Sequence, residues 1–262
     1  MPGSIAANFH SGSRSEVLAD YLFSTCGTVT PVRHQSDYGV DLYCTLTDRL
    51  GQRSVVQDYY VVQVKSNTNP WSFRDRPSVD WLVQHPAPLL LACVDKKQSV
   101  LCVYHLMPRF TVWAHEDRPE SLELTPGHGD AGNCVQWKDG ISFSLSAPIL
   151  RATLEDLIDE SRLPKLRSVL ECWIRLDRNN CDLMRAGLPR FRMPPSYRTN
   201  EEPDAATVLE MTSWLADPLS GKGGIVASTE SAEWIGGQLM NEGDREGAFV
   251  RGTARQPHSA TL

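Results

Sequence analysis

Asp37-Tyr38-Gly39-Val40-Asp41, answered about twenty residues later by Gln63-Val64-Lys65, decides how this chain is read. An acid follows a glycine at the start of one apolar strand, Val40 to Leu46, and a Gln-x-Lys pair ends the next, Tyr59 to Ser66. Strand side chains alternate faces, so Gln63 and Lys65 share a face while Val62 and Val64 point the other way. Pairing of the two strands brings Asp41 to Gln63 and Lys65 at one end of a sheet. A carboxylate, an amide oxygen and an ammonium gathered there form a site for a metal ion and a phosphate.

Working outward, Ser13 to Thr25 reads as a helix, with Leu18, Tyr21 and Leu22 at i, i+3 and i+4 and Gly27 as its stop. Thr28 to Arg33 is a short strand, and Asp48 to Arg53 a turn through Gly51. Val79 to Gln84 is a short helix. Pro88 to Val94 and Ser99 to Leu106 are two buried strands joined at Asp95-Lys96-Lys97-Gln98. The expected fold is α/β: a mixed five-stranded sheet flanked by helices, complete in residues 1–108.

Residues 109–216 are expected to form an accessory, mainly helical extension. Ser121 to Leu124 and Ile141 to Leu145 suit strands, and Thr153 to Arg178 a helix that Pro164 breaks or starts. Leu166, Leu170, Trp173 and Ile174 share one face of it. Arg190 to Arg198 reads as irregular chain and Thr207 to Leu215 as a further short helix. Residues 217–262, rich in Gly, Ser and Glu, read as a mostly disordered tail.

Composition is that of an ordinary globular protein, 41% hydrophobic and 22% charged. No apolar run approaches the roughly 20 residues of a bilayer span, and Met1 to His10 lacks the regions of a signal peptide; a cytoplasmic protein with no membrane partner is expected. The net charge of −6 is uneven: residues 1–110 carry ten Lys/Arg and nine Asp/Glu, the remainder sixteen and twenty-three. That excludes a strongly basic nucleic-acid coat, but not an enzyme touching a few phosphates. Seven cysteines without a Cys-x-x-Cys argue against a disulfide framework, and Cys102 with His105 lacks two further zinc ligands.

Glu16 on the first helix, Gly39-x-Asp41 and Gln63-x-Lys65 together resemble the PD-(D/E)XK nuclease superfamily, in particular its Mrr-like restriction endonuclease branch, whose strand motif also reads Gln-x-Lys. More narrowly, Ser15-Glu16-x-x-Ala19, Asp37-x-Gly39-x-Asp41, Val62-Gln63-Val64-Lys65-Ser66 and the Trp81 to Asp95 stretch are similar to a bacterial family called domain of unknown function 4365. The resemblance covers roughly residues 10–108. It implies a restriction-endonuclease-like sheet and hydrolysis of nucleic acid, DNA first, in bacterial defence or DNA processing. By that resemblance Asp41 is the principal metal ligand, Gln63 stands at the second acidic position, Lys65 holds or polarises the attacking water, and Glu16 completes the metal shell.

The chemistry of these side chains agrees. Mg²⁺ or Mn²⁺ takes oxygen ligands and keeps several waters, and Asp41, Glu16 and the Gln63 carbonyl supply such oxygens. His34, Arg33, Asn67, Asn69, Arg74 and Arg76 flank the site where phosphates would pass, and Trp71, Phe73 and Trp81 suit either base stacking or core packing. Each residue also has a plain structural reading: Asp41 and Asp37 anchoring the turn, Lys65 reaching to solvent from a strand end, Glu16 complementing the helix dipole. Two other functions stay open. One is a nuclease-like module that binds nucleic acid without cutting it, favoured by Gln63 in place of an acid. The other is a subunit, as homodimer or in a larger complex, that docks through the helical extension, favoured if Leu170, Trp173 and Ile174 lie exposed.

Overall fold

The computed structural model describes residues 7–32, 39–114, 118–127, 134–137, 140–145, 147–188, 190–192 and 225–227. Helix α1 (Ala7–Ser24) leads into β1 (Val29–Pro31), then β2 (Leu42–Leu50), β3 (Arg53–Lys65), β4 (Trp71–Phe73), α2 (Arg76–Gln84), β5 (Leu89–Asp95) and β6 (Val100–His105). There follow α3 (Pro108–Ala114), β7 (Ser121–Thr125), β8 (Cys134–Trp137), β9 (Gly140–Ser144), β10 (Leu150–Thr153), α4 (Leu154–Ile158), α5 (Leu163–Arg185), β11 (Arg190–Arg192) and β12 (Ile225–Ala227). The chain is thus mixed α/β around a mixed sheet of six strands in the order β1-β2-β3-β5-β6-β10. Within it β3 and β5 are parallel and every other pair is antiparallel.

Alternation along β2 and β3 sorts the core into two layers. Leu42, Cys44, Leu46, Tyr60 and Val62 point to the layer that also takes Ala19, Leu22 and Phe23 of α1 and Leu170, Trp173 and Ile174 of α5. Val61 points to the other, with Leu89, Leu91, Cys93 and Tyr104 of β5 and β6, Val79, Leu82 and Val83 of α2, and Leu122, Leu124 and Phe143 of a second sheet. That second sheet has the order β4-β7-β9-β8. At about 2 kcal/mol for each large side chain taken fully from water, these two layers dominate the stabilisation.

The five strands expected from the sequence are all present, and β10 adds a sixth by pairing with β6. The β2–β3 hairpin runs further than expected, to a turn at Gly51 with φ of +63°. Its outer half is exposed, so no apolar alternation announces it, and a register shift between Leu46 and Thr47 breaks the period.

The stretch after residue 108, expected to be mainly helical, is mixed. It supplies β7 to β11 as well as α3 to α5. Residues on either side of 108 share both sheets: β10 lies beside β6, and β4 beside β7. Pro164 lies in the first turn of α5, where its missing N–H costs nothing. The segment 190–198, expected to be irregular, begins with β11, and β12 in the expected tail pairs with it. The helix expected at Thr207 to Leu215 lies outside the described residues.

Leu170 and Ile174 are fully buried and Trp173 nearly so. The face of α5 that was to serve docking is therefore core, and that reading loses its support. No helix among the described residues is long and apolar enough to cross a membrane.

A buried ion pair ties the later helices to the sheet. Arg109 of α3 donates to Asp177 of α5 at 2.6 Å, and the same carboxylate oxygen accepts the Leu89 N–H at the start of β5 at 2.9 Å. Arg109 also donates to the carbonyls of His85 and Ala87, both at 3.2 Å. A buried charge is tolerated only when paired and hydrogen-bonded in this way.

Candidate active site

Asp41 closes the ladder between β2 and β3. Its N–H donates to Val62 O at 2.9 Å, and its own carbonyl accepts from Val32 N at 2.8 Å, so its backbone bridges β1 and β3. The pairing of Leu42 with Val62 places Asp41 opposite Gln63. Its carboxylate Oδ2 accepts the Gln63 side-chain N–H at 2.5 Å and the Val64 backbone N–H at 2.6 Å. The carboxylate thus takes up the Val64 amide at the point where the β2 backbone stops serving β3.

The approach to Asp41 is shaped by Gly39. Its φ of +92° belongs to the left-handed region, and a Cβ there would lie 2.7 Å from the Trp81 indole. Only glycine lets the chain turn under that ring. Trp81 packs in turn against Phe73, Trp71 and His85, with centroids at 6.3, 6.4 and 5.3 Å. Of the two readings for these three aromatics, the structure takes packing: Phe73 is buried in the second core layer, and Trp71 and Trp81 lie against it.

Lys65 lies two residues beyond Gln63 on the same face, beside Cys93 of β5 by register. Its ammonium donates to the carbonyls of Asn69 at 2.8 Å and Pro70 at 2.9 Å. Asn67 shapes this turn by accepting the Asn69 N–H on Oδ1 at 3.0 Å. Partial burial lowers the Lys65 pKa, and the charges of Cys93 and Glu123 oppose that shift. Burial pushes the Cys93 thiol up to about 12, so at neutral pH Cys93 is uncharged and Glu123 is the anion that favours the ammonium.

Glu123 was not singled out in the sequence. It sits on β7, opposite Ser72 of β4, whose hydroxyl donates to its Oε2 at 3.2 Å. An acid in a five-residue amphipathic strand carries no motif; only pairing of β4 with β7 brings it towards Lys65.

Glu16 is half-buried on α1, directly after the buried Ser15. Thr47 N donates to Cys26 O at 3.2 Å and Thr45 N to Thr28 O at 2.9 Å, fixing the end of α1 beside the middle of β2. α1 lays Ala19, Leu22 and Phe23 on the first core layer, whereas Gln63 and Lys65 project from the opposite face of the sheet. The structure brings Asp41 and Gln63 together; the Lys65 ammonium sits on the Asn69 and Pro70 carbonyls, and Glu16 belongs to the helix across the sheet.

The flanking residues divide. Arg76 pairs with Asp80 at 3.4 Å and donates to the Arg118 carbonyl at 2.7 Å, and Arg118 itself pairs with Asp80 at 2.7 Å. This network fastens α2 to the start of β7. Arg74 and Asn67 are exposed. His34, Arg33 and Asp37 lie outside the described residues.

Among the described residues no three His, Cys, Asp or Glu side chains gather as a metal-binding group. Asp41 presents a carboxylate of the hard-oxygen kind that Mg²⁺ and Mn²⁺ prefer, and Gln63 turns its N–H to that carboxylate at 2.5 Å. A half-turn of the amide would set its oxygen beside the carboxylate, where Mg²⁺ or Mn²⁺ would take both.

No family model, curated protein or solved structure matches the chain.

Proposed function

We propose that this protein is a metal-dependent nuclease that hydrolyses phosphodiester bonds of nucleic acid, DNA first, on a restriction-endonuclease-like sheet. The convergence of Asp41 and Gln63 at 2.5 Å, with Lys65 on the same face of β3, carries the reading. Asp41 and the turned Gln63 amide would hold Mg²⁺ or Mn²⁺, and Glu16, on the opposite face of the sheet, would take no part in the shell. When bound, such an ion polarises a phosphoryl oxygen and lowers the pKa of a coordinated water.

The chain's own side chains do the rest. Two donors of the Lys65 ammonium are held by the Asn69 and Pro70 carbonyls, which would leave the third for a non-bridging phosphate oxygen or the attacking water. Asp41, tied to the Val64 amide, keeps its carboxylate in place without a rotamer search. The bacterial defence or DNA-processing setting rests on the resemblance alone.

One observation favours a second reading. Gln63 supplies no negative charge and already satisfies Asp41, which suits a module that binds nucleic acid without cutting it. Cleavage of plasmid and labelled oligonucleotide with Mg²⁺ or Mn²⁺ separates the two. The nuclease reading expects cleavage that needs the ion and falls by at least about 100-fold in Lys65→Ala and in Asp41→Asn. Folded wild type that binds nucleic acid and leaves it intact under both ions supports the binding module.

A further inference from the structure

A row of four side chains crosses the six-stranded sheet, one from each of β3, β5, β6 and β10. Lys65 is level with Cys93, Cys93 is paired with Cys102, and Cys102 is paired with Arg151. Val64, Ala92, Leu101 and Ala152, each one residue away along its strand, belong to the first core layer. Alternation therefore turns all four members of the row to the other face. Cys93 is buried, Cys102 half-buried and Arg151 exposed. Two thiols lie side by side, with a cationic residue at the next position on either flank.

Both cysteines are reduced, and their placement suits a bond between them. Directly paired residues on antiparallel strands have Cα atoms about 4.5–5.5 Å apart, within the roughly 4.4–6.8 Å that a disulfide spans. Their Cβ atoms stand about 4.5–5.5 Å apart, whereas a disulfide draws them to roughly 3.8 Å. Closing the bond must therefore pull two hydrogen-bonded strands together by about 1 Å. A disulfide held under such tension is readily reduced, which is the mark of a labile bond and not of a structural one.

We propose that Cys93 and Cys102 are a reversible redox couple, closed to a disulfide across β5 and β6 by a low-molecular-weight disulfide such as glutathione disulfide. Exposure sets the order of events. Cys102, the more accessible thiol, loses its proton, and its thiolate attacks one sulfur of the oxidant. The oxidant's S–S bond breaks, one half leaves as a thiolate and the other stays on Cys102 as a mixed disulfide. Cys93 then loses its proton, attacks Cys102 Sγ and expels the second half. Two protein thiols are oxidised, one external disulfide is reduced to two thiols, and the two protons pass to the released thiolates. Burial holds the Cys93 thiol up at about 12, and the Lys65 charge opposes that rise; attack within one strand pair offsets the small thiolate fraction. The couple stands independently of the nuclease reading.

The test is peptide mapping of the folded full chain after equilibration with glutathione disulfide, alkylation of the remaining thiols and digestion without reductant. Trypsin cuts after Lys96 and Lys97 in the β5–β6 turn, so Cys93 and Cys102 leave in separate peptides unless a disulfide joins them. Wild type is expected to yield the joined pair of peptides, and excess reduced glutathione to abolish it. Cys93→Ala is expected to stop at the first step, with glutathione held on Cys102. Cys102→Ser, a change at a half-buried position, is expected to leave Cys93 unmodified, and it tests the couple even where Cys93→Ala does not fold. A folded wild type in which both thiols stay reduced overturns the couple. So does a link from either residue to another cysteine, or a joined pair that forms only after urea has unfolded the chain. A joined pair that excess reduced glutathione fails to reopen is a structural bond, and that result overturns the reversible couple as well.

Discussion

Gln63 donates to Asp41 Oδ2 at 2.5 Å, and the Val64 amide donates to the same oxygen at 2.6 Å. One carboxylate therefore satisfies a side chain and the backbone of β3 together. Asp41→Ala removes the shared acceptor of both bonds, and the protein is expected to lose about 1–3 kcal/mol of unfolding free energy. Gln63→Ala, which leaves the Val64 bond intact, is expected to cost about 1 kcal/mol or less. Urea denaturation of both variants checks the order.

Gln63→Glu sets a second carboxylate against Asp41. Two like charges in contact disfavour joint ionisation, so the variant is expected to melt lower than wild type in EDTA at neutral pH. Mg²⁺ or Mn²⁺ should raise its Tm by more than it raises that of wild type, since binding to the folded state stabilises it. Equal shifts in the two proteins would count against a cation position at this pair.

Gly39 and Gly27 cannot accept a side chain. A Cβ on Gly27 would lie 1.8 Å from Thr45 O, against strand backbone, and one on Gly39 would meet Trp81 with φ at +92°. Gly27→Ala is expected to be the more damaging, at about 3 kcal/mol or more, because a β-strand cannot yield as a side chain can. Gly39→Ala is expected to cost about 1–3 kcal/mol and to disturb the Asp41 end locally. Thermal melts rank the two.

Arg109 and Asp177 form a buried pair at 2.6 Å. Burial raises the Asp177 pKa, while the Arg109 guanidinium and the Leu89 N–H oppose the rise. Asp177→Ala alone leaves an uncompensated cation in the core and is expected to cost about 3–5 kcal/mol. Arg109→Met with Asp177→Leu is expected to cost less than the sum of the two single changes. A double-mutant cycle by chemical denaturation measures the coupling.

Acid should unfold the protein partly through two histidines. His105, buried and stacked on Trp173 at 4.6 Å, has its pKa lowered to about 3 by burial. His85 is lowered to about 4, by burial first and then by the Arg109 charge, against a hydrogen bond with Ala87. Both folded values lie below the unfolded value near 6.5, so the unfolded chain binds the extra protons. Stability is full above about pH 6.5 and falls as pH drops towards 4, by up to about 1.4 kcal/mol per pH unit for each histidine. His105→Gln removes one titrating ring and retains an acceptor for the Met107 N–H, which now bonds to His105 Nδ1 at 3.2 Å. The variant is expected to show a shallower acid limb in denaturation midpoints measured from pH 7 to 4.

Much of this was legible in the chain. The alternation of Leu42, Cys44 and Leu46 against Tyr43 and Thr45 announced β2, and the apolar runs at Leu89 to Val94 and Val100 to Leu106 announced two buried strands. Period two alone put Gln63 and Lys65 on one face, and the glycine before Asp41 marked the turn. The helical repeat of Leu166, Leu170, Trp173 and Ile174 picked out one face of α5, and the fold decided that this face is buried.

Tertiary structure decided what local pattern cannot encode. β4 and β10 are three and four residues long, too short for a period to show; they exist because a neighbouring strand supplies their hydrogen bonds. That pairing brought Glu123 towards Lys65 and joined the two sides of residue 108. Sequence determines which face a side chain takes along its own element, because backbone geometry sets that residue by residue. Which elements then share a sheet is settled by long-range burial and hydrogen bonding, and those are properties of the assembled chain.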